Sequence, residues 1–255
     1  MRRRVEVGDD RIDLLTIPAA DPERPTLVFL HEGLGCIDMW RDFPQQVCDR
    51  TGCGGVVYAR AGYGRSSPQR QARGVDYMHR EALDALPALL DRLAVDRPLL
   101  VGHSDGGSIA LIHAARAARP VRALVVMAPH EFVEEITLAG IRDARAAWQH
   151  TNLRERLARY HDDPDWVFHS WNDTWLRPEF RDWNIEDCLP AIDCPVLALQ
   201  GEDDEYATLR QIDVIAEAVP GTTRLTLGQC GHSPQRDQAA QVIAAIAGFV
   251  EGLGA

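Results

Sequence analysis

Five short segments that are apolar almost from end to end constrain this chain more than anything else in it: Thr26–Leu30, 55–58, 98–101, Ala123–Met127 and 195–199. A strand with one face in water alternates apolar and polar side chains, so a continuous run predicts a strand covered on both faces, as in a parallel sheet between layers of helix. Helices are expected between the runs, at 40–50, 77–93, 108–119, 206–219 and 234–252. In the second of these, Met78, Ala82, Leu86, Leu89, Leu90 and Leu93 recur at helical spacing. Pro87 lies among them and predicts a kink or a break, because proline lacks the N–H and its ring crowds the preceding turn. Ahead of the runs, alternating segments at 4–7 and 12–17 joined through Gly8-Asp9-Asp10 predict an antiparallel hairpin. The class is α/β, a doubly wound sheet with right-handed crossovers, whose reactive loops leave the carboxyl ends of the strands.

One region breaks the alternation. Residues 131–189 contain helix-like pieces and no strand-like run, and they hold five of the six tryptophans: Trp148, Trp166, Trp171, Trp175 and Trp183. The chain of 255 residues therefore reads as one core domain, 1–130 and 190–255, with a helical cap inserted at 131–189. The tryptophans either wall a pocket or form the small core of the insertion itself, and both readings stand.

A net charge of -11 works against a nucleic-acid surface, which needs clustered Lys and Arg. Met1-Arg2-Arg3-Arg4 is basic, but 5–13 alternates in character and never becomes the apolar block of a signal peptide, and no run is long enough to span a bilayer. A cytoplasmic protein with a small-molecule partner, and with neither nucleic acid nor membrane, is expected; a homodimer is left open. Cys36, Cys48, Cys53, Cys188, Cys194 and Cys230 show no paired C-x-x-C spacing, and free thiols, buried or half-buried, are expected, with Cys36 and Cys230 near the reactive loops.

The chemistry begins at Gly102-His103-Ser104-Asp105-Gly106, a G-x-S-x-G between an apolar strand and a helix. A serine on so tight a turn is strained, its flanking glycines relieve crowding, and the start of the helix offers N–H groups to a developing oxyanion. A serine hydroxyl needs a base. His232, in a glycine-flanked loop after the strand-like 223–227, lies at another strand's carboxyl end, whereas His79, His113, His150, His161 and His169 fall on helices or in the insertion. The imidazole needs a carboxylate, and Glu202-Asp203-Asp204-Glu205 follows the strand at 195–199. Asp204 is the choice, Asp203 the reserve and Glu131 a distant third. The oxyanion donors are expected from the N–H groups of Asp105 and Gly33, with Leu34 as the alternative to Gly33. Glu32, Leu34, Trp40, His130, Trp148, Trp171 and Trp175 are the candidates to line a pocket. No metal or organic cofactor is called for.

These residues resemble the α/β-hydrolase superfamily over essentially the whole chain. The order Ser104, Asp204, His232 is that family's order; His31 to Gly35 is similar to its H-G-x-x-G loop, and Arg60-Ala61-Gly62-Tyr63-Gly64-Arg65-Ser66 to its R-G-x-G-x-S turn. The resemblance implies an eight-stranded, mostly parallel sheet, a helical cap, and acyl-transfer chemistry on esters, thioesters, lactones, amides or carbon–carbon bonds. An ester or thioester of a modest-sized acid leads; the alternatives are a carbon–carbon bond hydrolase or a cofactor-free oxidative enzyme, a lactonase or amidase, and a non-catalytic receptor of the same fold. The charge of the insertion, as in Arg154-Glu155-Arg156, speaks against a lipase lid. Two positions depart from the family pattern, Glu32 after the loop histidine and Asp105 after the nucleophile. Carboxylates there would oppose the oxyanion, so Glu32 is expected either to turn away into hydrogen bonds under its loop or to stay protonated.

Overall fold

Each of the five apolar runs forms a strand of one eight-stranded sheet in the computed structural model, which describes residues 1–69 and 71–254. The strands are β1 (Arg2–Val7), β2 (Asp10–Ile17), β3 (Thr26–Leu30), β4 (Gly54–Tyr58), β5 (Leu99–His103), β6 (Ala123–Met127), β7 (Val196–Gly201) and β8 (Thr223–Leu227). Their spatial order is β1-β2-β4-β3-β5-β6-β7-β8, with β2 antiparallel to both its neighbours and every other pair parallel. The hairpin closes on Gly8, at φ 58°, and Asp9, so β2 starts at Asp10, two residues before the expected 12, and β1 begins at Arg2, two before the expected 4.

The helices in chain order are α1 (Phe43–Thr51), α2 (Tyr77–Arg80), α3 (Leu86–Arg92), α4 (Asp105–Arg116), α5 (Glu135–His150), α6 (Leu153–Leu157), α7 (Pro164–Trp175), α8 (Arg210–Ala218), α9 (Pro234–Asp237) and α10 (Ala239–Gly252). They explain why the strands are apolar on both sides. Leu99 and Val101 of β5 share a core with Phe43 and Val47 of α1 and with Val242 and Ile246 of α10. Leu100, between them, shares the opposite core with Leu86, Leu89 and Leu90 of α3 and Ile112 of α4. Each such side chain contributes about 1.5–3 kcal/mol when fully buried, so a polar residue on either face would cost a comparable amount.

Of the helix boundaries that differ from the expectation, four have a clear local reason. Between α2 and α3 the helix widens into a π turn, Glu81–Ala85, and Pro87 falls in the first turn of α3, where a missing N–H costs nothing. Helix α4 starts at Asp105, three residues before the expected 108, because Gly106 packs on β3: a Cβ there would lie 2.1 Å from the Leu30 carbonyl oxygen. The start of α8 is delayed to Arg210 by a network in which the Gln200 amide donates to the carbonyls of Ala207 and Thr208 at 3.1 and 3.0 Å. The last helix divides at Gln238, whose amide donates to the carbonyls of Gly228 and Gln229.

Between β6 and β7 the described residues form helices and a single isolated bridge, Phe132 to Asn184. The Ile185 N–H donates to the Glu131 carbonyl at 2.7 Å beside that bridge, so the two ends of this segment meet side by side. No helix of the described residues is long and apolar enough to cross a membrane.

Candidate active site

Ser104 joins β5 to α4 with φ 52° and ψ -121°, a conformation strained for any residue with a Cβ. The surroundings hold it there. Its N–H donates to the Met127 carbonyl of β6 at 2.9 Å, and its carbonyl accepts from Gly107 and Ser108 at 2.7 and 3.1 Å. A Cβ on Gly102 would lie 2.3 Å from the Gly106 carbonyl oxygen, so the turn closes only because both positions are glycine.

His232 enters from the loop between β8 and α9, and Asp204 from the loop after β7. The imidazole Nε2 lies 2.9 Å from Ser104 Oγ, and Nδ1 lies 2.9 and 3.0 Å from the two oxygens of Asp204. A carboxylate only accepts, so Nδ1 carries the proton and Nε2 is free to take that of the serine. Burial disfavours the charged imidazolium, but the hydrogen bond and charge of Asp204, with Glu205 and Glu32, outweigh it and hold the His232 pKa above its usual value. Burial likewise disfavours the Asp204 anion, and the hydrogen bond and charge of His232 more than offset it, leaving that pKa low.

Three of the four acids after β7 have separate tasks. Asp204 is buried and reaches the imidazole; Asp203 is exposed and ties the loops through its backbone, donating to the Cys230 carbonyl at 2.9 Å. Glu205 Oε2 accepts from the His232 N–H at 3.0 Å. Glu131 makes no ion pair with the histidine; it is fully buried, both carboxylate oxygens lack a hydrogen-bond partner among the described residues, and burial pushes its pKa far up.

Ser104 opens onto a cavity of about 290 Å³, lined in part by Gly33, Leu34, Asp105, His130, Trp171, Trp175 and Tyr206. Gly33 and Asp105, the two expected N–H donors, border it together, with Asp105 at the positive end of α4. The insertion supplies two of its tryptophans. Trp171 packs on Gly33, and the Trp175 indole N–H donates to the Tyr77 hydroxyl at 3.1 Å.

Trp40 and Trp148, expected at the pocket, do not reach this cavity. Trp40 is buried against Phe29, Phe43 and the edge of His103, because the short 3-10 turn Ile37–Trp40 directs it beneath the sheet's end. Trp148 stacks on Phe168 with ring centroids 4.2 Å apart, so it packs between α5 and α7 and not at the cavity. The thiols are all free and buried; neither Cys36 nor Cys230 lines this cavity.

The two carboxyl groups beside the expected oxyanion position are managed by different means. Asp105 points down to the Tyr77 hydroxyl at 2.7 Å, with the buried Arg60 guanidinium 3.8 Å away. Arg60 also donates to the Glu32 carbonyl at 3.0 Å and lies over the Tyr63 ring. The Glu32 side chain folds back on its own loop, where a Cβ on Gly35 would lie 2.2 Å from its Oε2, and that oxygen has no hydrogen-bond partner among the described residues. Burial, opposed by Arg60 and reinforced by Asp105, raises its pKa to about 7, so it keeps its proton well above the usual carboxylate range. His31 braces the loop: its Nε2 accepts from the Arg60 N–H at 3.1 Å, and its Nδ1–H donates to the Glu32 carbonyl at 2.8 Å.

Sequence reasoning missed His103, Glu205 and Tyr206. The first flanks the nucleophile and the other two follow the acid, so proximity in sequence to Ser104 and Asp204 was the available signal.

A strained serine at a strand-to-helix turn, a histidine on it and a carboxylate behind, presented by an eight-stranded sheet, define a recognised class of protein. Residues 25–171 match the model of the alpha/beta hydrolase fold family, and the chain belongs to that family. It is similar to Serine hydrolase BPHL of Homo sapiens, with 30% identity over 176 residues that cover 66% of this chain and 59% of the relative. The chain thus spans about three fifths of that relative's length. It is also similar to 2-hydroxymuconate semialdehyde hydrolase of Pseudomonas putida, 27% identical over 218 residues and 74% of each protein. Among solved structures, proline iminopeptidase of Mycobacterium smegmatis superposes with a TM-score of 0.82 over 99% of this chain and 98% of that one, at 19% identity, a likeness of fold alone.

Proposed function

We propose that this chain is a serine hydrolase that cleaves a small-molecule carboxylic ester or thioester through an acyl-enzyme. The observation that carries the reading is the continuous relay Ser104 Oγ, His232, Asp204, with both links at 2.9 Å. His232 takes the serine proton as Oγ attacks the carbonyl carbon; the N–H groups of Gly33 and Asp105 receive the oxyanion; and His232 returns the proton to the leaving group. Water then enters, gives its proton to His232, and releases the acid. The insertion acts as a cap, since Trp171 and Trp175 border the cavity over Ser104. Fluorophosphonate labelling of the wild type but not of Ser104→Ala, together with turnover of p-nitrophenyl esters of rising acyl length beside thioesters and lactones, tests it. A wild type that neither labels nor turns over would sink it.

The likeness to 2-hydroxymuconate semialdehyde hydrolase favours a second reading, with a carbon–carbon bond of a related dienoic acid as the bond cleaved. Preference for such an acid over every ester in the same panel would establish that alternative.

A further inference from the structure

His103 is buried beside the nucleophile and makes two hydrogen bonds, both to the part of the chain that carries the base. Its Nε2 lies 2.6 Å from the His232 backbone oxygen and its Nδ1 lies 3.0 Å from the Gln235 side-chain amide. The geometry dictates the tautomer. A carbonyl oxygen cannot donate, so Nε2 carries the proton; Nδ1 of the neutral ring then accepts from the amide N–H of Gln235. Neutrality is secured by burial, with the neighbouring His232 adding to it, which together push the His103 pKa down to about 3. Trp40, set edge-on with ring centroids 6.3 Å apart, backs the ring.

The value of this arrangement lies in which strands it connects. Apart from Ser104, the side chains bonded to His232 are Asp204 and Glu205, both after β7, and they fix the base relative to the acid. Among the described residues, only three hydrogen bonds join the 228–238 region to β5 and the nucleophile: Ser104 to His232, His232 to His103, and Gln235 to His103. The first vanishes once Oγ is acylated, because an ester oxygen has no proton to donate. The other two both end on His103.

We propose that His103 is a positioning residue for deacylation, holding the base loop in register with β5 during the interval when Ser104 is esterified and His232 must activate water. The proposal rests on the acyl-enzyme reading above. No proton or electron passes through His103 itself: water adds to the acyl carbon, its proton goes to His232 Nε2, and the bond to Ser104 Oγ breaks as that proton is returned.

The test compares His103→Leu, which removes the donor, with His103→Gln, whose amide N–H reaches the place of Nε2, in stopped-flow and steady-state assays on a p-nitrophenyl ester that the wild type turns over. A misplaced base costs roughly 10- to 100-fold. Expected in His103→Leu is a fall of that size in kcat, a smaller fall in kcat/KM, and hence a lowered KM with a burst of about one equivalent of p-nitrophenol. His103→Gln should restore most of kcat and abolish the burst. Equal losses in kcat and kcat/KM without a burst, or no loss at all, would overturn the proposal while leaving the serine-hydrolase reading intact. A wild type unlabelled by fluorophosphonate overturns both. Should His103→Leu fail to fold, nitrogen NMR of the wild type decides: the proposal requires His103 as the neutral Nε2–H form at pH 6, and a ring that is protonated or carries its proton on Nδ1 refutes it.

Discussion

The indole of Trp171 lies so close over Gly33 that a Cβ built on that glycine would fall 2.3 Å from its Nε1 and Cδ1. A helix of the insertion is thereby seated on the loop expected to hold the oxyanion. Gly33 has no positive φ, so the contact alone demands glycine there. Gly33→Ala should lower kcat/KM by at least about tenfold and stability by about 1–3 kcal/mol, the cost of overpacking. In a Gly33→Ala/Trp171→Ala double mutant the stability loss should be clearly less than the sum of the singles, by urea denaturation. Simple additivity would mean that the two residues do not meet.

Asp204→Asn should reduce kcat by roughly 10³- to 10⁴-fold, because an amide cannot hold the Nδ1–H tautomer. Asp203→Asn should leave activity within about threefold, since that side chain is exposed and only its backbone ties the loops. The pH dependence carries the sign of the coupling. His232 must be neutral to act, and Asp204 raises its pKa, so wild-type kcat/KM should climb with pH through a midpoint above the usual imidazole value. In Asp204→Asn the midpoint should move to lower pH; an unmoved midpoint would exclude Asp204 as the partner.

Glu32 sets a second pH dependence, in stability. Its folded pKa, about 7, exceeds the unfolded value near 4.5, so the native state holds the proton more tightly and stability falls as pH rises through that window. Glu32→Gln imitates the protonated acid at every pH. It should be more stable than wild type by about 3 kcal/mol at pH 8, with most of the advantage gone at pH 5. Denaturant titrations at the two pH values decide, and an equal difference at both would show that the wild-type carboxyl is already ionised at pH 5.

Arg60 is the counter-charge for Asp105 and a donor to the Glu32 carbonyl, with its side chain 1% exposed. Arg60→Met strands a buried carboxylate and should cost about 3–5 kcal/mol. For a chain of this length that lowers the melting temperature by roughly 10 °C. Adding Asp105→Asn should recover part of the loss. If the double mutant is no more stable than Arg60→Met, the burden lies in packing and not in the charge of Asp105.

Much of the molecule was legible because its rules are local. Runs such as Val28, Phe29 and Leu30 announce strands covered on both faces, and Gly102 and Gly106 around Ser104 announce a turn with no room for side chains. Trp148 and Trp171 show where such reading stops. Both lie in one aromatic-rich stretch, yet Trp148 on α5 stacks on Phe168 while Trp171 on α7 reaches Gly33, and which way a helix turns depends on partners distant in the chain. His103 was passed over for the same reason, since its importance rests on a carbonyl 129 positions away.

The amino-acid order by itself determined the layered α/β architecture, the strained turn at Ser104 and the supply of acids after β7, all of which follow from patterns a few residues long. Only the tertiary structure decided that Asp204 and not Asp203 faces the imidazole, that Arg60 offsets Asp105, and that Glu32 turns back over Gly35. Those outcomes depend on burial and on distances between side chains brought together by the sheet, and burial, by removing water, is what makes each charge require a specific neighbour.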